Sequence, residues 1–216
     1  MTRRFVLSVC VIVAAVGLLS ACGGRVPGNG DTPSPGSSST PPSSSAPSGL
    51  PYAGAPKVAS PLPASVLAGD PCTDALTPSQ TDVLLGSPVK VTPRNLPELG
   101  AVCAWSNLER GSRIDVTYDT TTHTGLSKLY QNTKPQSGVW KPLTDVQGFP
   151  AVAHAGQPGQ KPPVDFCVVS VGLADDLAID VSLFLGPAKR GAVDPCDVAG
   201  QAAGAVAITL KAKAGE

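Results

Sequence analysis

The chain is 216 residues long, with 16 Lys and Arg balanced by 16 Asp and Glu, and it carries 23 Gly, 23 Pro and 6 Cys. A neutral total without a basic patch or an arginine-rich helix excludes nucleic acid, whose binding rests on phosphate neutralisation. Aromatics at 4% offer few platforms for stacking sugars.

Residues 1–21 read as an export signal. Arg3 and Arg4 supply the positive start, and Phe5 to Leu19 form an uncharged apolar run. That run is short for a membrane span, which needs about 20 residues. It is followed by Gly23 and Gly24 rather than a charge cluster. Leu19-Ser20-Ala21-Cys22 resembles a bacterial lipobox, so Cys22 is the predicted lipid attachment. Its thiol would carry diacylglycerol, the chain would be cut before it, and the new amino terminus would be acylated with chains such as palmitate. Each buried CH₂ contributes about 0.8 kcal/mol and one chain holds only marginally, so a stable anchor takes two or more. Cys10 leaves with the signal. The predicted location is the extracytoplasmic face of the cell membrane, with Sec and twin-arginine export both open.

Residues 22–68 read as the lipidated cysteine and a disordered tether. From Gly23 to about Ala64 the sequence is Pro, Ser, Gly and Thr with almost no large apolar residue. Such a composition cannot bury enough surface to offset its ordering entropy. A flexible tether of this length reaches about 35 to 40 Å on average.

Residues 69–216 are the expected folded domain. From Asp70 onward, 8 Lys and 4 Arg face 12 Asp and 3 Glu, a net charge near −3. Cys72, Cys103, Cys167 and Cys196 remain, and an even count in an exported chain predicts two disulfides. Three pairings exist. Cys72 with Cys103 and Cys167 with Cys196 are favoured, because each closes a loop of about 30 residues and contributes about 3 to 4 kcal/mol by the chain-entropy model. The close CxxC pairs of structural zinc are absent, which points away from metal.

In chain order, Thr77-Pro78-Ser79-Gln80 reads as a capping box opening a helix that Gly86 ends. Strands follow at Val89 to Thr92, Val102 to Leu108 and Ser112 to Asp119, the last two joined by the turn Glu109-Arg110-Gly111. Ile114, Val116 and Tyr118 alternate with Asp115, Thr117 and Asp119, which predicts a sheet wetted on one face. Thr124 to Asn132 reads as a short amphipathic helix presenting Leu126, Leu129 and Tyr130. Further strands are predicted at Val139 to Leu143, Ala151 to Ala155, Phe166 to Gly172 and Leu177 to Leu185, with a hairpin turn at Asp175-Asp176. Pro195 to about Lys211, capped by Asp194, is the longest helix. The fold class is α+β: one domain with a twisted antiparallel sheet covered by helices.

GDPCTDALTPSQTDVLLG (69–86), CAW (103–105), GFPAVA (148–153), FCVVSV (166–171) and DPCDVAGQAAGAVAITL (194–210) together resemble a family of secreted actinobacterial lipoproteins. That family, of mycobacterial and streptomycete type, is defined only as a domain of unknown function with paired DPC motifs and four cysteines. The resemblance implies export, lipidation and a disulfide-bonded α+β domain, and it implies no catalytic residues.

The residues agree in offering no catalytic set. His123 and His154 are the histidines of the domain, and Ser, Thr and Asp abound, but there is no G-x-S-x-G elbow. Asp175, Asp176 and Asp180 lack the register of a calcium loop; the first two read as hairpin residues and Asp180 as part of the wet strand face. Trp105, two residues after a cysteine, reads as core. Trp140 and His154 are the candidate binding residues. No metal and no cofactor is expected. The expected function is a membrane-anchored binding module for an envelope protein, a cell-wall component or an apolar small molecule. The alternatives are an envelope hydrolase centred on His123 or His154, and an accessory subunit of a membrane complex.

Overall fold

The computed structural model describes residues 49–216, so the expected export signal, Cys10 and the expected lipid attachment at Cys22 lie outside the described residues. Seven strands form one sheet: β1 (Lys90–Leu96), β2 (Gly100–Asn107), β3 (Ser112–Asp119), β4 (Val139–Val146), β5 (Phe149–Ala155), β6 (Phe166–Ala174) and β7 (Leu177–Phe184). All pairs are antiparallel, in the order β1-β2-β3-β7-β6-β5-β4. Two meanders, β1 to β3 and β4 to β7, therefore meet along the β3–β7 ladder. Short turns at Arg110-Gly111 and Asp175-Asp176 close hairpins where glycine and aspartate make the chain reverse cheaply.

Alternation of side chains sorts the strands into two faces. Ile114, Val116, Tyr118, Val169, Val171, Ile179 and Val181 share the first face and are fully buried. The helix α3 (Pro195–Ala214) covers this face, with Ala199, Ala202, Ala203, Val206, Ala207 and Leu210 turned inward. Four alanines among these six let the helix axis approach the sheet closely. Asp194 accepts from the Cys196 N–H at 2.8 Å and Pro195 stands at the first helical position, as the sequence predicts. Disulfides Cys72–Cys103 and Cys167–Cys196 join α1 (Pro71–Asp74) to β2 and α3 to β6, the two favoured pairings. The helix α2 (Pro78–Leu85) has the full capping box at Thr77 and Gln80 and stops at Gly86. Trp105 is core, 3% exposed.

The domain begins earlier than residue 69, which corrects the tether boundary. Val58, Leu62, Val66 and Leu67 are buried in the main core. The backbone there is held by specific bonds: Leu62 N–H donates to the Leu173 carbonyl at 2.9 Å, and Val58 N–H donates to the Asp175 carboxylate at 2.9 Å. Composition averaged over a window hides four apolar residues that each find a slot in the core, which is enough to fix residues 49–68 as an arm of the domain.

A second correction concerns residues 124–132. Instead of a regular α-helix, the chain makes a π-helical turn at Leu129–Thr133 and a 3-10 turn at Lys134–Gln136. The sheet order explains why. β3 lies in the middle and β4 at the far edge, so residues 120–138 must cross β7, β6 and β5, and α3 already occupies the first face. The crossing passes over the second face. Leu126 drops onto Gly172, where a Cβ would sit 3.1 Å from Leu126 Cδ1, and Ala178 stands opposite Gly172 in register. Leu126, Tyr130, Val152 and Ala178 form a small second core.

Candidate functional site

Between the crossing segment and the second face of the sheet lies a groove of about 410 Å³, within the size range of small-molecule sites. Its roof and walls carry four leucines, Leu96, Leu99, Leu126 and Leu129, beside the polar Thr122, Lys128, Asn132 and Thr133. Its floor is polar, formed by Thr117 and Asp119 of β3, Asp180 and Ser182 of β7, Ser170 of β6 and His154 of β5. The wet-face expectation fails here: Asp115 and Thr117 are buried, and Asp119 and Asp180 are half-buried. Alternating polar residues report only that a face is not the main core. The crossing segment shields this one.

Pairing puts Ser170 directly opposite Asp180, and His154 two residues along β5, on the same face, from Val152, which faces Ser170. The Ser170 hydroxyl donates to Asp180 Oδ1 and contacts His154 Nε2 at 3.1 Å. With its one proton committed to the carboxylate, the hydroxyl must accept from His154, which assigns the proton to Nε2. Burial pushes the His154 imidazole down to about 4, so it is neutral at pH 7. Burial pushes the Asp180 carboxyl up to about 6, the Ser170 bond opposes this, and the charge of Asp119 adds to it.

The order of this chain matters for chemistry. In a hydrolytic triad the imidazole stands between hydroxyl and carboxylate so that it can take the hydroxyl proton. Here the serine stands in the middle, 1% exposed, with its proton directed to the carboxylate, so the imidazole is not placed to take that proton. The arrangement holds a rigid polar floor.

Trp140 of β4 lies opposite His154 in register, their rings 6.0 Å apart. Tyr130 meets Trp140 edge-on at 5.0 Å, and Lys134 sits over both rings. Of these four residues only His154 lines the groove; Tyr130, Trp140 and Lys134 stand behind it. Trp140 Nε1 is buried without a hydrogen-bond partner among the described residues. His123, the other histidine candidate, is exposed at φ 48° and does not line the groove. The structure thus brings His154 and Trp140 together and leaves His123 apart.

Ser170, Thr117, Asp119 and Ser182 are groove residues that sequence reasoning did not single out. A signal existed: counting back from the Asp175-Asp176 turn sets Ser170 against Asp180 to within the one-residue bulge between Gly172 and Ala174. A further depression, of about 510 Å³, lies among Leu84, Leu185, Pro187 and Val198. No cluster of three metal-ligating side chains occurs among the described residues, and none of their helices is long and apolar enough to cross a membrane.

The sequence profile of DUF3558, described as a protein of unknown function, matches residues 17–208. The chain belongs to the DUF3558 family. The match takes in the whole sheet, the groove, both disulfides and most of α3, and it begins before the described residues, at residue 17. No curated protein and no solved structure matches this DUF3558 chain.

Proposed function

We propose that this chain is a lipoprotein anchored through Cys22 on the extracytoplasmic face of a bacterial cell membrane, of actinobacterial type, whose domain binds a small ligand in the groove under residues 120–138. The observation that carries the binding role is the groove itself. Leucines of the roof and walls stand over a floor whose hydroxyl and imidazole are already fixed by one another, as in sites that recognise a ligand without remaking it. The Leu-Ser-Ala-Cys sequence after an apolar run supports the anchor, and two disulfides are in keeping with an oxidising compartment.

The test uses the full-length protein purified from its native envelope in mild detergent, beside a Ser182→Trp variant that fills the groove. Mass spectrometry of the organic extract is expected to find a small molecule that falls at least tenfold in the variant; equal amounts in both would overturn the binding role. In the same preparation Cys22→Ser should leave the membrane fraction, and its retention there would overturn the anchor.

A further inference from the structure

We propose that the groove takes a small amphiphilic cation, an ammonium group on a short apolar body, with the charge seated on Asp180. This rests on the small-ligand reading of the same site and names its chemistry.

Three carboxylates lie on the second face, and their partners differ. Asp115 is bracketed by Arg94 at 2.9 Å and Arg113 at 2.5 Å, so its charge is already answered. Asp119 accepts from the Thr122 N–H at 3.0 Å and from the Thr122 hydroxyl at 2.5 Å, which closes a local turn. Asp180 has Ser170 on Oδ1 and, among the described residues, no partner on Oδ2 and no cation within ion-pair distance. A half-buried carboxylate in that position lacks a donor, and the groove is the side from which one can come.

The groups facing Asp180 decide the sign of that donor. His154 is neutral at pH 7, Ser170, Ser182, Thr117 and Thr122 carry no charge, and Asp119 adds a second negative charge to the same floor. Lys128 is exposed on the groove's lining and pairs with neither aspartate. A carboxylate ligand would meet repulsion from two sides, and an alcohol would leave the charge uncompensated. An ammonium would replace lost hydration with a charge-assisted bond. Leu96, Leu99, Leu126 and Leu129 then accept the apolar body. Because only ionised Asp180 can hold the cation, affinity should rise with pH.

The experiment compares hexylammonium, hexanol and hexanoate as probes of the lipid-free domain, residues 49–216, by NMR titration of backbone amides. This span carries both disulfides and the entire core, so it contains what folding needs. Hexylammonium should shift the amides of residues 168–182 and bind about tenfold more tightly at pH 7 than at pH 5, as ionisation of a group titrating near 6 demands. Asp180→Asn should weaken it at least tenfold and abolish that pH dependence. If hexanol or hexanoate binds the same residues as tightly as hexylammonium, the groove is a ligand site and the cation assignment is wrong. If none of the probes shifts groove amides, both readings fall. The wild-type pH series decides independently of whether the variant folds: an affinity unchanged between pH 5 and 7 overturns the proposal.

Discussion

Asp180 and His154 are displaced by burial in opposite directions, and their effects on stability oppose one another. The folded Asp180 carboxyl titrates near 6 against 3.8 when exposed, so the folded chain holds that proton more tightly, and this contribution is lost as pH rises towards 6. The folded His154 imidazole titrates near 4 against 6.5, so the unfolded chain takes up a proton that the folded chain refuses, and stability grows as pH rises from about 4 to 6.5. In the intact protein the two slopes cancel over that window. Asp180→Asn should unmask the histidine slope, a gain of about 2 kcal/mol between pH 4.5 and 6.5. His154→Gln should unmask the opposite slope, a loss of similar size. Urea midpoints at the two pH values check both, and flat profiles in both variants would show that burial does not set these titrations. Neither residue announces this in the sequence. His154 reads as a strand-end histidine and Asp180 as a solvated one, because what buries them is a segment that neither touches in sequence.

At the scale of elements, the crossing segment from 120 to 138 is held by few residues, with Leu126 at its centre. Leu126 is 4% exposed and packs on the bare backbone of Gly172 and with Tyr130, Val152 and Ala178. Leu126→Ala should cost about 2 to 3 kcal/mol, read as a fall in denaturation midpoint, and should make residues 120–138 the first site of limited proteolysis. An unchanged cleavage pattern would show that the crossing is anchored elsewhere. Elements with local causes were legible in the sequence. The Thr77 capping box, the Gly86 stop, the Asp194 cap and the alternation in β3 all depend on residues within a few positions of one another. The π-helical turn was not, because its geometry is set by where Leu126 and Tyr130 must land on Gly172, Ala178 and Trp140, strands away. The order of the strands was hidden for the same reason: nothing local says that β3 pairs with β7 rather than β4.

Over the whole molecule, the N-terminal arm 49–68 and the two sheet edges shape behaviour most. Val58, Leu62, Val66 and Leu67 each bury an apolar side chain, and full burial of such a side chain contributes about 1.5 to 3 kcal/mol before ordering costs. A chain beginning at residue 69 should therefore be less stable than one beginning at 49 by about 3 kcal/mol or more, measured by urea denaturation. Equal midpoints would show that the arm rests on the core without supporting it. The edges are guarded. β1 is exposed throughout and carries Lys90, Pro93 and Arg94, while β4 carries Lys141, Pro142 and a bulge between Leu143 and Val146. A second sheet cannot add to either edge without losing ladder bonds at proline.

The placement of the cysteines has a consequence for how the chain is divided. Cys72 and Cys103 both precede the crossing segment, and Cys167 and Cys196 both follow it, so among the described residues no sulfur bridge spans 120–138. A single nick there would yield two pieces, each internally cross-linked, gripping one another through the β3–β7 seam, the Leu62–Leu173 and Val58–Asp175 bonds of the arm, and the Gln80–Ala205 bond between α2 and α3. Each half would then be a separable partner for the other, and the groove, lined from both, would exist only while the two were mated.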